Sequence, residues 1–263
     1  MKLSTLCLLS LLIVARVKAE IGLSAFAVQH PNFPCTKFLE AFKGVKSPAI
    51  AILDGYFGSD NRCLRRFLAL PSLGTKLIQI HIRYVPKNKL ELLDADLLAR
   101  RAKKWENYRR AYPHVRFLLS DGLESHDYKG TALRRVLFIK KYFHGQIVHN
   151  PLKPRDPHSV GADIIELHGA RYAKYPKRGT TTIFNYDGFG IDYNNQARGR
   201  IPFQTPVSAV RSDLTKAKRD GSIVFLWDAR GQGIYRAGYA FDTRYRTFEI
   251  VGNLIKNSLL KMQ

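Results

Sequence analysis

Two kinds of hydrophobic pattern alternate along this chain. Short, nearly continuous apolar runs rich in β-branched or aromatic residues recur, and most intervals between them carry a helical period. The runs are Ser24–Val28, Ala49–Leu53, Lys76–Ile82, Val115–Leu119, Gln146–His149, Ile164–Leu167, Thr181–Tyr186 and Ile223–Trp227. Unbroken apolar runs of this length mark strands covered on both faces, as in a parallel sheet flanked by helices. Helices are expected near Lys37–Lys43, over Arg62–Leu70 with Asp60 or Asn61 as cap, across Leu90–Tyr112, over Thr131–Phe143, over Val207–Arg219 and within Phe248–Leu260. In the third of these, Leu90, Leu93, Leu97, Ala102, Trp105 and Tyr108 approximate one apolar face. In the fourth, Leu133, Val136 and Leu137 are set against Lys140 and Lys141. The Pro-rich stretch after Asn150 and the basic stretch Ala170–Gly179 read as irregular connections, and Gly188–Arg200 as a loop.

Repeating strand–helix units without a Gly-rich phosphate fingerprint favour a single closed (β/α)8 TIM-type barrel, with irregular loops replacing some helices, over a doubly wound sheet. A length of 263 residues suits one such barrel. No linker, fixed-period repeat or low-complexity segment divides residues 20–263, which are read as one catalytic-type domain.

The strand-like runs end on polar residues. In HVRFLLSDGLES (His114–Ser125) the apolar run stops at Ser120-Asp121-Gly122, with Glu124 three residues after Asp121. Strand C-termini of a barrel meet at one mouth, so such ends converge there. The ring consists of Asp54, His81, Asp121, Glu124, Asn150, Glu166, His168, Asp187 and Asp228. A single strand-end Asp is more often a turn or helix-cap residue, whereas a ring at one end of nearly every strand is harder to explain that way. Glu166 lies in line with buried residues in IIELHG, where an unpaired carboxylate is costly. It must be paired, protonated or turned to the mouth; a structural ion pair with an arginine competes with a catalytic role.

Glu166 and Glu124 are the leading catalytic candidates, with Asp121, Asp187 and Asp228 in reserve. Burial at the mouth would raise the Glu166 pKa and suit it to proton donation. Asp54, Tyr56, His81, Arg83, Asn150, His168 and Trp227 are the expected substrate contacts, the aromatics stacking on sugar rings and the polar groups reaching hydroxyls. Core packing competes for any single aromatic, Trp227 above all.

This set of strand-end carboxylates and aromatics resembles a glycoside-hydrolase-type (β/α)8 barrel. The resemblance covers the chain as architecture; it includes no Asn-Glu pair after the fourth strand and no DxxDxDxE run. It implies a hydrolase that cleaves glycosidic bonds with paired carboxylates, one protonating the leaving oxygen and one attacking or activating water. Two other classes stay open. One is a non-catalytic barrel that binds glycans or polyanions. The other is a metal-dependent barrel hydrolase drawing on His81, Glu166, His168, Asp187 and Asp228, since Glu-x-His on one strand faces one way. With no HxH, HExxH or GxSxG, neither a metal, another cofactor nor a serine nucleophile is expected.

The charge adds a partner class. Lys+Arg number 43 against 21 Asp+Glu, a formal net charge of +22. That favours polyanions, and the glycan is accordingly expected to be acidic or envelope-associated. The basic residues concentrate in helices and their flanks, as in Arg100–Lys104, so the excess is expected on the outer shell, with no sequence-specific nucleic-acid target.

Residues 1–19 read as a signal peptide: Lys2, an apolar Leu3–Val14 too short to span a bilayer comfortably, and Val17-Lys18-Ala19 before the cut. The expected location is secreted or periplasmic, with no transmembrane segment. Cys7 falls in this leader, leaving Cys35 and Cys63 as a candidate disulfide in an oxidising compartment.

Overall fold

The structure is a computed structural model, and it describes residues 20–25, 28–29, 33, 35–54, 61–82, 95–122, 131–151, 160–169, 182–186 and 207–227. In chain order the elements are β1 (Ile21–Ser24), α1 (Cys35–Glu40), β2 (Ala49–Asp54), α2 (Arg62–Ala69), β3 (Lys76–Ile82), α3 (Ala95–Ala111) and β4 (Val115–Ser120). They continue as α4 (Thr131–Lys140), β5 (Gln146–His149), β6 (Ile164–Gly169), β7 (Thr182–Tyr186), α5 (Val207–Arg219) and β8 (Ile223–Trp227). Each strand pairs in parallel with the next, and β8 pairs with β1, so the sheet closes in sequence order. This is the expected (β/α)8 barrel.

Strand parity builds the interior. Ala49, Ala51, Leu53, Leu77, Leu118, Val148, Ile164, Ile183, Ile223 and Phe225 form one buried cluster. The intervening residues, such as Ile50, Ile52, Ile78, Ile80, Leu119 and Phe184, belong to the larger cluster that packs beneath the helices. Both faces of every strand are therefore buried, which is why these strands read as unbroken apolar runs rather than as alternating ones. Gly22 is needed where β1 passes β2, because a Cβ there would overlap the Ala49 carbonyl.

Several boundaries and faces differ from the sequence reading. The first strand is Ile21–Ser24, not Ser24–Val28, because Ile21 to Ser24 are the residues in register with Val224 to Trp227 of β8. Val28 and Gln29 form a turn. The α3 core face uses Leu98, Ala102 and Trp105, with Leu97 only half-buried. In α4 the core takes Ala132, Val136 and Ile139, whereas Leu133 and Leu137 are 37% and 51% exposed. Both leucines sit one residue beyond the core stripe, about 100° further round the helix. The helix expected within 248–260, the loop expected at 188–200 and the leader expected at 1–19 all fall outside the described residues.

Two polar devices fasten the shell. The Glu106 carboxylate of α3 accepts hydrogen bonds from Arg109 and Arg110 and from the backbone N–H of His144, tying α3 to the α4–β5 turn. Arg109 first, then the His144 N–H and Arg110, hold its pKa well below the usual carboxylate range. Lys76, buried at the start of β3, donates to the Leu68 carbonyl in the last turn of α2. Cys35 and Cys63 are disulfide-bonded, with Cα atoms 5.6 Å apart, as expected. The bond joins the first residue of α1 to the first turn of α2, at the end of the barrel where strands finish.

Candidate active site at the carboxyl ends of the strands

The same parity that fills the lower barrel with apolar residues places polar ones higher up. Gln79 and His81 follow Leu77 on the inward side of β3, and Glu166 and His168 follow Ile164 on β6. Asn185 follows Ile183 on β7, and Ser24 lies at the end of β1. Glu166 is the hub. Its Oε2 accepts the Gln79 amide N–H at 2.5 Å, and its Oε1 accepts the Asn185 amide N–H at 3.3 Å. The Ser24 hydroxyl donates to Asn185 Oδ1 at 3.2 Å and so orients that amide. Two imidazoles flank the carboxylate, His81 Nε2 at 3.6 Å from Oε2 and His168 Nε2 at 3.5 Å from Oε1.

Burial grades this group. The Glu166 and His81 side chains are fully buried, while that of His168 is 17% exposed, so His168 lies on the open side. Burial lowers the His81 pKa, against an opposing pull from Glu166, and favours neutral imidazole there. Among the described residues no Lys or Arg lies within ion-pair distance of Glu166, so the arginine pairing that competed with a catalytic reading is not found there.

Asp54 and Asp121 have the opposite parity. Asp54 continues the outward series Ile50, Ile52 and meets α3, with Lys104 Nζ at 2.8 Å and Arg101 Nε at 3.8 Å. Asp121 continues the outward series Phe117, Leu119 and meets Arg135 of α4 at 3.2 Å and His149 Nδ1 at 2.9 Å. Both acids thus lie against helix cations, and part of the basic excess reaches inward from the shell to meet them. Asp121 also accepts the Asn150 backbone N–H at 3.3 Å, and the Asn150 side-chain amide lies 3.0 Å from His168 Nε2. Asn150 therefore links the outward cluster to the inward one.

Of the expected site residues, the structure brings together Glu166, His81, His168 and Asn150, with Asp121 joined through Asn150. Glu124, Asp187, Asp228, Tyr56 and Arg83 lie outside the described residues, and only the backbone of Trp227 is described. The sequence reading did not single out Gln79, Asn185, Ser24 or Arg135. Gln79 carried a usable signal: it stands two residues before His81, on the same face of a strand otherwise apolar on that side.

Among the described residues no group of three or more His, Cys, Asp or Glu is arranged to hold a metal ion. Nor is any described helix long and apolar enough to cross a membrane.

No protein-family model and no curated protein matches this sequence. Solved structures do match in shape. A broad-specificity endoglucanase of glycoside hydrolase family 5, subfamily 4, from an uncultured bacterium superimposes with TM-score 0.50 and 10% identity, covering 91% of this chain and 94% of its own. Another structure, titled only as a glycoside hydrolase, gives TM-score 0.58 at 10% identity over 93% of this chain and 69% of its own. At that identity the likeness is one of fold: the chain is a (β/α)8 barrel of the type that glycoside hydrolases use.

Proposed function

We propose that this protein is an exported glycoside hydrolase acting at the mouth of the barrel, with Glu166 as one member of its catalytic carboxylate pair. The observation that carries the reading is Glu166 itself: a fully buried carboxylate on an inward strand position, with an amide N–H on each oxygen and an imidazole on each side. A carboxyl group is expensive to bury at such a position without a cation, and fixed orientation is what proton transfer or nucleophilic attack at an anomeric carbon needs. Glu124, Asp187 and Asp228 supply the candidates for the second carboxylate. His168, on the open side, reaches substrate hydroxyls together with Arg83, the buried Asn150 orients its ring, and Tyr56 and Trp227 stack on sugar rings. Asp54 and Asp121, engaged by helix cations, brace the mouth from outside. The leader at residues 1–19 and the disulfide support export.

The test is Glu166→Gln, which keeps shape and removes the carboxylate. Wild type and variant are assayed on a panel of neutral β-glucans and acidic polysaccharides, with thermal melts as a check on folding. The expected result is hydrolysis of at least one polysaccharide by wild type, unchanged by chelator, and a loss of about 100-fold or more in the variant at similar stability. A variant that hydrolyses as wild type does, or a wild type that binds glycan without cleaving it, refutes the assignment. Loss of wild-type activity with chelator would favour the metal-dependent alternative.

A further inference from the structure

The outer face of α4 has a composition that a water-facing helix does not need. Its core stripe is Ala132, Val136 and Ile139, yet Leu133 and Leu137 point outward, 37% and 51% exposed. Leu133, Leu137 and Lys141 fall on one i, i+4, i+8 line that runs through the turn after the helix. The neighbouring line is Arg134, Phe138 and Tyr142, with Arg134 exposed and both rings half-buried. The rings meet edge to face at 5.4 Å between centroids. Lys103 of α3 lies 5.0 Å above the Tyr142 ring, and Lys141 lies 5.8 Å from the Phe138 ring. Acids near this face are already engaged: Glu106 holds Arg109 and Arg110, and Asp163 pairs with Lys140 at 3.4 Å. No carboxylate lies within ion-pair distance of Lys103 or Lys141 among the described residues.

Exposed leucines and half-buried aromatic rings interleaved with cations make up the surface of an amphipathic element that lies in a lipid interface. The rings and leucines enter the headgroup–acyl boundary, and long basic side chains bend their charges back to the phosphates. A net charge of +22 supplies long-range attraction to the same surface. An acidic polysaccharide would match the cations and leave the leucines without a role. We propose that the outer face of α4, with Lys103 of α3, docks the protein on an anionic membrane surface. This surface is separate from the barrel mouth, and the proposal does not depend on what the mouth catalyses.

The experiment is co-sedimentation with vesicles, at low ionic strength. One set contains phosphatidylglycerol and phosphatidylcholine in equal parts, and the other phosphatidylcholine alone. All proteins carry the same N-terminus, so any contribution from the apolar leader cancels between variants. Wild type should bind the anionic vesicles and not the neutral ones. Lys103→Glu with Lys141→Glu should weaken binding by about fivefold or more for each cation lost. Leu133→Ser with Leu137→Ser should weaken it by about tenfold. Leu73→Ser, which alters an exposed leucine outside α4, should change nothing. Retention on heparin is read in parallel and should fall only for the lysine pair. Absence of wild-type binding, equal binding to neutral vesicles, or a leucine pair variant that binds as wild type does overturns the proposal. The last result, combined with lysine-dependent heparin retention, would identify a charge-driven polysaccharide surface instead.

Discussion

The bond between Gln79 and Glu166 yields a prediction whose size follows from the geometry. Both side chains are fully buried, and the Gln79 N–H donates to Glu166 Oε2 at 2.5 Å. A hydrogen bond to a charged partner contributes about 1.5–3 kcal/mol. The other end of the Gln79 amide has an opposing effect: Oε1 is buried with no hydrogen-bond partner among the described residues, a penalty of about 1–3 kcal/mol. Gln79→Leu removes both at nearly constant volume but leaves Glu166 Oε2 without its amide donor, so its net cost should be about 1–2 kcal/mol. Glu166→Met should cost more, because it strands the Gln79 and Asn185 donors together. The pairwise bond is isolated by a double-mutant cycle of these two substitutions, measured by urea unfolding at neutral pH with the disulfide intact. The expected coupling is about 1.5–3 kcal/mol, with m unchanged across the four proteins. A coupling below about 0.5 kcal/mol would show that Gln79 does not hold the carboxylate, and the hub described above would lose its best-placed member.

Two further outcomes follow from single features. His81 has a folded-state pKa below its ordinary value, so the unfolded chain binds the proton more readily; its contribution to stability is full above about pH 6.5 and declines as pH falls below that value. Unfolding measured from pH 8 to 5 should therefore show a steeper loss for wild type than for His81→Gln, and equal slopes would contradict a buried neutral imidazole. The Cys35–Cys63 bond closes a separation of 28 residues, so its reduction should cost about 3–4 kcal/mol in the chain-entropy treatment, read as a fall in Tm in non-denaturing reductant. No change in Tm after verified reduction would refute that magnitude.

The barrel itself was legible because its strands are buried on both faces, and a run such as LIQIH has few other places to go. What apolar runs do not show is parity. Asp54 and Glu166 both look like polar residues near strand ends, yet Asp54 shares a side with Ile50 and Ile52, and Glu166 shares one with Ile164. Parity becomes readable only when one residue per strand is anchored to the interior, and an all-apolar strand offers no such anchor. Reading Gln79-x-His81 and Glu166-x-His168 together would have placed four polar groups in one lumen. The α4 face was misread for a related reason: Leu133 and Val136 are both apolar, and hydrophobicity alone does not say which of two adjacent stripes meets the sheet.

Parity also divides the charge. The outward aspartates, Asp54 and Asp121, are met by Lys104, Arg101 and Arg135, so each acid has a cation from the helix above it. Replacing such pairs by apolar residues of similar volume is often neutral for stability, and they fit a bracing role. Glu166 is treated differently. Its carboxyl group is set among amide dipoles and imidazoles, with no Lys or Arg within ion-pair distance among the described residues. Apolar packing would be a cheaper solution at that depth, as Ile164 and Ile183 show in the layer beneath. A fold that departs from its own apolar packing rule in one inward layer, on the side where its strands end, supports the proposal that chemistry is done there.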